Sequence, residues 1–226
     1  AKLPLYFVEN RGQLDARVAY YVQGRDKTIY FTPQGLTYAL ASGGEAKPEP
    51  RVRTASLRAG LFPQPTVETG ATRRWAVKLD FVGANPGAEP VGEDRTAAVV
   101  SYFKGRRGDW KAGLPTYSSV VYRELWPGID LRYSGTVNRL KYEFVIQPGA
   151  SPEAIRLAYR GAEVRLNGEG ELEVTTPAGG FRDAKPYAYQ EVAGRREEVA
   201  ATYALGAGQE YGFQVGAYDR GRPLIL

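Results

Sequence analysis

The chain has 226 residues, of which 43% are hydrophobic and 24% charged, with a formal net charge of +5. Tyrosine occurs 16 times, whereas histidine, cysteine and methionine are absent. Without histidine and cysteine, the chain has no Ser-His-Asp triad, cysteine nucleophile, zinc or iron–sulfur site of the usual kind, or disulfide bond. Phosphate-binding glycine motifs are also missing. No apolar run approaches the roughly 18 residues of a membrane span, so no span is expected.

Arginine outnumbers lysine by 22 to 8, a bias typical of a thermophilic or GC-rich source. The charge is modest and scattered, so no nucleic-acid partner is expected. Because the chain has no methionine and so lacks its initiator, we expect it to be a processed or excised piece of a longer protein. The chain ends in the apolar residues 224–226, and we expect an exposed apolar patch there, with the natural chain continuing beyond it.

Alternation of apolar and polar residues is the dominant pattern and predicts half-buried strands. Short turn sequences such as Pro33-Gln34-Gly35 separate these runs. Helix signals are confined to one turn near Pro152, after which residues 155–159 alternate and predict a strand. In chain order, the alternating runs are residues 36–40, 75–81, 140–146, 199–205 and 211–217.

The pattern predicts an all-β, mainly antiparallel fold of two packed β-sandwich-like lobes with little helix. We place the first lobe at residues 1–104, a connecting segment at 105–116 and the second lobe at 117–226. Residues 41–72 are rich in proline and glycine and predict a long surface excursion within the first lobe. The apolar residues 3–8 would form a strand, either in their own sheet or in that of a neighbouring chain.

Several of these segments occur in a recognisable order. Together they resemble the amino-terminal domain of large bacterial surface proteins that carry SBBP (β-propeller-type) repeats, and only the 41–72 excursion departs from that likeness. The segments are FVENRGQ at 7–13, FVGANP at 81–86, DW at 109–110, LPTY at 114–117, YRELWPGIDLRY at 122–133, YEFVIQPGA at 142–150, PYAYQE at 186–191 and GAYDR at 216–220.

The resemblance implies a secreted or cell-surface setting, with the domain leading into downstream β-repeats. It implies no catalytic residues, because the family is a domain of unknown function. The function we expect is therefore a non-enzymatic structural or interaction module, for example in adhesion. Its partners would be the downstream repeat region, or a protein or polysaccharide at the cell surface.

Cationic and aromatic residues alternate near the predicted connecting segment. Arg106 and Arg107 lie between Tyr102 and Trp110, a composition suited to an anionic polymer. The simpler interpretation is a solvated loop whose tryptophan folds back on the core. Arg107-Gly108-Asp109 also spells an integrin-binding tripeptide, but a glycine turn explains it better.

A flat set of exposed tyrosine rings would bind sugars, and such a carbohydrate-binding module is the main alternative function. That interpretation requires at least three exposed, coplanar rings. The candidates are Tyr117, Tyr122, Tyr133, Tyr187 and Tyr189.

Carboxylates offer two further alternatives, although each acid is equally suited to pairing with an arginine or lysine. Two acids across a cleft would support glycoside hydrolysis. Oxygen ligands would also support a structural calcium ion, with Glu9, Glu93 and Asp94 as its candidate ligands, and no other cofactor is expected. For hydrolysis the candidate acids are Glu9, Asp80, Glu124, Asp130 and Glu143.

Overall fold

The computed structural model describes residues 4–24, 27–41, 74–103, 107–136 and 139–226. In these ranges the chain forms 18 strands and three single-turn 3-10 helices, and all strand pairings are antiparallel. The all-β, mainly antiparallel prediction is therefore confirmed. The excursion predicted at 41–72 lies, from residue 42 onward, outside the described residues.

The strands are β1 Phe7–Glu9, β2 Tyr20–Gln23, β3 Lys27–Thr32, β4 Gly35–Ala41, β5 Arg74–Phe81, β6 Pro90–Tyr102, β7 Lys111–Trp126, β8 Ile129–Thr136, β9 Arg139–Ile146, β10 Leu157–Arg160, β11 Glu163–Leu166, β12 Leu172–Thr176, β13 Gly179–Asp183, β14 Ala188–Val192, β15 Arg195–Val199, β16 Ala201–Leu205, β17 Glu210–Val215 and β18 Leu224–Ile225. The 3-10 helices are Arg107–Asp109, Pro152–Ala154 and Ala207–Gln209.

Fifteen of the described strands form one large sheet that is nearly closed. Its order is β15-β14-β18-β9-β8-β7-β1-β2-β3-β4-β5-β10-β17-β16, with β6 paired to β7 beside this path. The two end strands, β15 and β16, are separated in the chain only by Ala200. The Gly216 N–H donates to the Ala200 carbonyl at 2.8 Å, which ties this connection to the end of β17.

The hydrophobic core lies inside the curled sheet, where side chains from distant strands meet. Phe144 on β9 contacts Phe213 on β17, with 5.5 Å between ring centroids. The hydroxyls of Tyr142 on β9 and Tyr203 on β16 are 3.1 Å apart. These contacts connect the two halves of the strand order, so burial of aromatic surface holds the sheet in its curled form.

The alternation read from the sequence gives the correct faces for most of β5. Val77, Leu79 and Phe81 are buried, whereas Lys78 is exposed. Trp75 is the exception, since the ring is exposed at the start of the strand and its indole N–H donates to the Gly161 carbonyl. Strand periodicity therefore assigns the inward face correctly until the strand passes the end of the core.

The large sheet continues across the predicted boundary between the two lobes. Strand β1 pairs with β7, and β5 pairs with β10 along four residues. A single cluster of buried side chains also extends from Leu5 to Leu226. The division into lobes remains a prediction, and any such lobes share one sheet and one core.

Both apolar ends of the described chain are buried within the domain. Phe7 pairs with Tyr117 of the same chain, so β1 completes its own sheet here. Leu224 has no exposed surface, and Leu226 exchanges two backbone hydrogen bonds with Phe144. The expectation of an exposed apolar patch at residues 224–226 was wrong, because β18 fills the position between β9 and β14.

A separate three-stranded sheet, β11-β12-β13, packs against the main core. Leu172 and Val174 are fully buried in the shared cluster. Phe181 stacks on Tyr38 of β4, with 5.0 Å between centroids and 26° between ring planes. The small sheet therefore brings residues of β13 next to tyrosines of the large sheet.

The longest strands, β6 and β7, form a hairpin of 13 and 16 residues. The predicted connecting segment 105–116 falls in this hairpin, and its second half belongs to β7 rather than to a linker. Among the described strands, β6 pairs only with β7. Its outer edge is interrupted by a bulge after Arg95, a feature that discourages edge-to-edge pairing.

Candidate functional site

The end of the β6–β7 hairpin exposes two aromatic rings side by side. Phe103 is 60% exposed and Trp110 43% exposed. Their rings meet edge to face, with centroids 5.3 Å apart and planes at 70°. The Arg107 guanidinium lies 5.7 Å from the centre of the Trp110 ring, within cation–π range. The structure thus places Arg107 beside Trp110, and the tryptophan stays at the surface instead of folding into the core.

Val99 and Lys111 complete this surface. Val99 is 60% exposed and shares the outward face of β6 with Phe103, because residues 97, 99, 101 and 103 all point to solvent. Lys111 begins β7 next to Trp110. We call the set Val99, Phe103, Arg107, Trp110 and Lys111 the hairpin end.

Two predicted binding residues near the hairpin end are placed differently. Tyr102 points to the opposite face, where it packs against a small buried cluster of Val8, Tyr21 and Leu114. Arg106 lies outside the described residues. The Arg107–Asp109 segment forms the predicted glycine turn, closed by the Trp110 N–H donating to the Arg107 carbonyl at 3.4 Å.

The five tyrosines proposed as a sugar platform do not form one. Tyr122 and Tyr133 are buried in the core, and Tyr122 donates its hydroxyl to the Thr32 carbonyl at 2.9 Å. Tyr189 is also buried, while the neighbouring Tyr187 is 52% exposed. Tyr122 cannot touch a ligand at the surface, because its strand turns that side chain inward.

Tyr117, the remaining ring, lies partly buried on β7. Its hydroxyl donates to the Glu9 carboxylate at 3.1 Å, and its ring meets Tyr20 edge to face at 5.7 Å. It also covers Gly92 so closely that a Cβ there would lie 2.6 Å from the ring. The contacts of Tyr117 hold β6 and β1 against β7.

The acids proposed for hydrolysis each have a polar partner. Four accept bonds from arginine or lysine, namely Glu9 from Arg11, Asp80 from Arg160, Asp130 from Arg123 and Glu143 from Lys141. The fifth, Glu124, accepts the Gly128 backbone N–H at 2.9 Å. These contacts match the simpler interpretation, in which the acids stabilise strand faces and turns.

Two of the three candidate calcium ligands, Glu9 and Glu93, are paired with cations of the protein itself. Glu93 accepts hydrogen bonds from both Arg123 and Arg132. Burial alone would raise the pKa of Glu93, but these two bonds outweigh it and hold the pKa below its usual value. Asp94, one residue before Arg95 on β6, has a positive φ of 54°. Within the described ranges, no group of three or more acidic side chains is arranged to hold a metal ion.

A buried cluster of tyrosines around Asp183 is the feature that sequence reasoning missed. The Tyr159 hydroxyl donates to Asp183 Oδ2 at 2.9 Å. The Tyr203 hydroxyl donates to the Ala184 carbonyl at 2.9 Å and meets Tyr142. Asp183 ends β13 of the small sheet, so its position depends on how that sheet docks.

The surroundings of Asp183 disfavour its charge. Burial raises the pKa of Asp183 to about 6, against the Tyr159 hydrogen bond and the positive charge of Lys27, which both lower it. The pKa of Tyr159 is raised well above its usual value, mainly by burial and further by the Asp183 carboxylate. The Tyr211 ring stacks on Tyr159 at 5.6 Å, and its buried hydroxyl has no hydrogen-bond partner among the described atoms.

A shallow groove lies where β5 meets the small sheet. The exposed Trp75 ring forms one wall, fixed by its hydrogen bond to Gly161. Thr175, Thr176 and Glu163 supply polar groups to the same groove, and Pro177 closes it. An exposed aromatic ring beside hydroxyl and carboxylate groups is the chemistry that recognises a sugar ring.

No helix in the described ranges has the length and hydropathy needed to cross a bilayer.

Comparison with known proteins places the chain in a family. No curated protein and no solved structure matches the chain. A family model described as domain of unknown function DUF7948 matches residues 7–226. The chain therefore belongs to the DUF7948 family.

Proposed function

We propose that this domain is a non-enzymatic interaction module of a bacterial secreted or cell-surface protein. The observation that carries the proposal is the hairpin end, where Phe103 and Trp110 expose adjacent rings next to Arg107. Solvent-exposed aromatic pairs flanked by polar groups mark interaction sites, because they are costly to leave in water. The nearly closed sheet supplies a rigid base for this surface.

The cellular setting belongs to the same proposal and rests on the sequence resemblance. In the proposed arrangement, the domain precedes SBBP-type repeats and acts in adhesion outside the cell. Its contacts are to a surface polymer, a lipid surface or a neighbouring protein, with the repeats of the same chain as a further partner. The arginine, lysine and backbone partners of the candidate acids support a non-enzymatic role, since each of these carboxylates already contacts a polar group of the protein.

The test is a binding panel that compares matched variants. The probes are neutral and anionic polysaccharides, phospholipid vesicles and a purified SBBP-type repeat segment, each with and without calcium. We expect the wild-type chain to bind at least one probe, Phe103→Ala/Trp110→Ala to lose that binding, and Tyr187→Ala to keep it. Tyr187 is the control because it is exposed to a similar degree and lies outside the hairpin.

The panel also separates a binding module from an enzyme. Release of reducing sugar ends from any polysaccharide, abolished by Asp80→Asn or Asp130→Asn, would contradict the proposal and favour the carboxylate-pair hydrolase. Binding that requires calcium and is lost in Glu93→Gln would show that the domain uses a calcium ion held by Glu93.

Carbohydrate binding is the second candidate function, and the Trp75 groove is the observation that favours it. A single fixed ring beside Thr175 and Thr176 could hold one sugar unit, although the larger tyrosine platform is absent. This candidate predicts that a neutral polysaccharide binds the wild-type chain and that Trp75→Ala abolishes binding. If Phe103→Ala/Trp110→Ala loses neutral-sugar binding while Trp75→Ala keeps it, the sugar binds at the hairpin end and not in the Trp75 groove.

A further inference from the structure

The hairpin end combines an apolar surface with a defined position at the end of the longest strands. Val99 and Phe103 lie on the same outward face of β6, and Trp110 contacts Phe103 from the start of β7. All three are among the most exposed large apolar side chains of the described residues. Scattered exposed apolar residues are ordinary, but an adjacent set at the end of a hairpin indicates a contact surface.

Two cations border this apolar surface without a carboxylate partner among the described side chains. Arg107 contacts the Trp110 ring, and Lys111 follows it in the chain. Elsewhere, arginines such as Arg123 and Arg160 are paired with acids on the same face. Among the described side chains, the hairpin end therefore presents two cations, Arg107 and Lys111, that no carboxylate of the protein pairs.

The ring geometry distinguishes between the anionic partners. Phe103 and Trp110 lie at 70° to each other, so they offer no flat platform for successive sugar rings. Arg107 also lies over one face of the Trp110 ring. A lipid interface has no such requirement, because burial of apolar side chains among acyl chains is non-directional. Lipid phosphates then lie at the depth of the flanking cations.

We infer that the hairpin end docks on an anionic lipid surface, with Phe103 and Trp110 entering the interface and Arg107 and Lys111 contacting phosphate groups. The inference rests on the proposed interaction function and names its partner. It requires no spanning segment, because the rings reach only the headgroup boundary.

The experiment is sedimentation of the chain with vesicles of phosphatidylcholine, with and without phosphatidylglycerol. We expect binding only to the anionic vesicles, weakened by salt. Arg107→Gln/Lys111→Gln should lower the partition coefficient about thirtyfold, roughly fivefold for each charge. Phe103→Ala/Trp110→Ala should lower it at least about tenfold, since two interfacial rings are lost.

Matched controls carry the same changes on other surfaces. Lys185→Gln/Arg195→Gln removes two exposed charges, and Tyr187→Ala removes one exposed ring, so both should bind like the wild type. Trp110→Phe should still bind but lose the blue shift of tryptophan fluorescence that contact with vesicles produces. Its unchanged melting temperature would show that the hairpin is intact.

The outcomes separate the two proposals. Failure to bind anionic vesicles, while alginate binds the wild type and not the hairpin variants, would overturn the lipid inference and leave the interaction function standing. Equal loss of vesicle binding in the Lys185 and Arg195 control would overturn the inference as well, because charge alone would explain it. Absence of binding to all probes would overturn both proposals.

Discussion

Replacing Asp183 by asparagine should make the domain more stable at neutral pH. The folded protein raises the pKa of Asp183 from 3.8 to about 6, because the carboxylate is buried among tyrosines. A group with a raised folded pKa binds its proton more tightly in the folded state, so stability falls as pH rises from about 4 to above 6. The full cost is roughly 3 kcal/mol, at about 1.4 kcal/mol for each pH unit between the two values.

The asparagine side chain in this variant would remain neutral at every pH and still accept the Tyr159 hydroxyl. The free energy of unfolding, measured by urea titration, should therefore be larger for Asp183→Asn than for the wild type. This difference should grow as the pH rises. Between pH 4.5 and pH 7.5 the difference between the two proteins should grow by about 2 kcal/mol, the part of the titration that this window covers. Asp219→Asn is the control: the pKa of Asp219 is lowered from 3.8, so its effect on stability has the opposite sign and is lost only below about pH 4. Between pH 4.5 and pH 7.5 the stability difference between Asp219→Asn and the wild type should therefore stay nearly constant.

A second variant tests the cause rather than the magnitude. Tyr159→Phe removes the hydroxyl that lowers the pKa of Asp183, so the decline of stability should extend to a higher pH than in the wild type. The reasoning is refuted if Asp183→Asn and the wild type keep the same stability difference at all four pH values 4.5, 5.5, 6.5 and 7.5. It is equally refuted if the variant becomes less stable relative to the wild type as pH rises.

Two matched pairs of substitutions test the core and the backbone by thermal and urea unfolding. Tyr211→Phe should stabilise the domain by up to about 1 kcal/mol, because the hydroxyl that it removes is buried without a hydrogen-bond partner among the described atoms. The matched change Tyr122→Phe removes a hydrogen-bonded hydroxyl and should lower the stability by about 1 kcal/mol. Gly35→Ala should destabilise by more than about 2 kcal/mol, since its Cβ would lie 1.9 Å from the Leu79 carbonyl oxygen and its φ is +148°. Gly149→Ala, with positive φ but open space, should cost only about 1 kcal/mol, and equal losses at both glycines would contradict the steric argument.

Several strands were predictable because each carries its own alternating pattern. Alternation at residues 75–81 and 140–146 gave β5 and β9, and the turn residues Pro33 and Gln34 lie between β3 and β4. These signals are local, since they depend on side-chain direction and backbone conformation within a few residues.

The interior site was not predictable in the same way. Asp183 lies in a short strand of sequence GGFRD that has no alternation, and only the docking of the small sheet brings it to Tyr159. The predictions that Tyr122 and Leu226 would be exposed were wrong for a related reason. Alternation separates the two faces of a strand, but the curl of the whole sheet decides which face is covered.

The hairpin end was partly predictable. The sequence grouped Arg107 with Trp110 correctly, because they lie in one short turn. It could not show that Phe103 rather than Tyr102 is the exposed neighbour, or that the tryptophan stays exposed. Those properties depend on the register of β6 against β7 and on the cluster of Val8, Tyr21 and Leu114 beneath the hairpin.

The central claim is that the hairpin end is the contact surface of the domain, and photo-crosslinking tests it most directly. A benzophenone side chain would replace Phe103 in one protein and Tyr187 in another, and both would be irradiated with the binding panel. We predict covalent adducts with the bound probe from position 103 and none from position 187. Equal adducts from both positions, or none from position 103 while the wild-type chain binds, would contradict the claim.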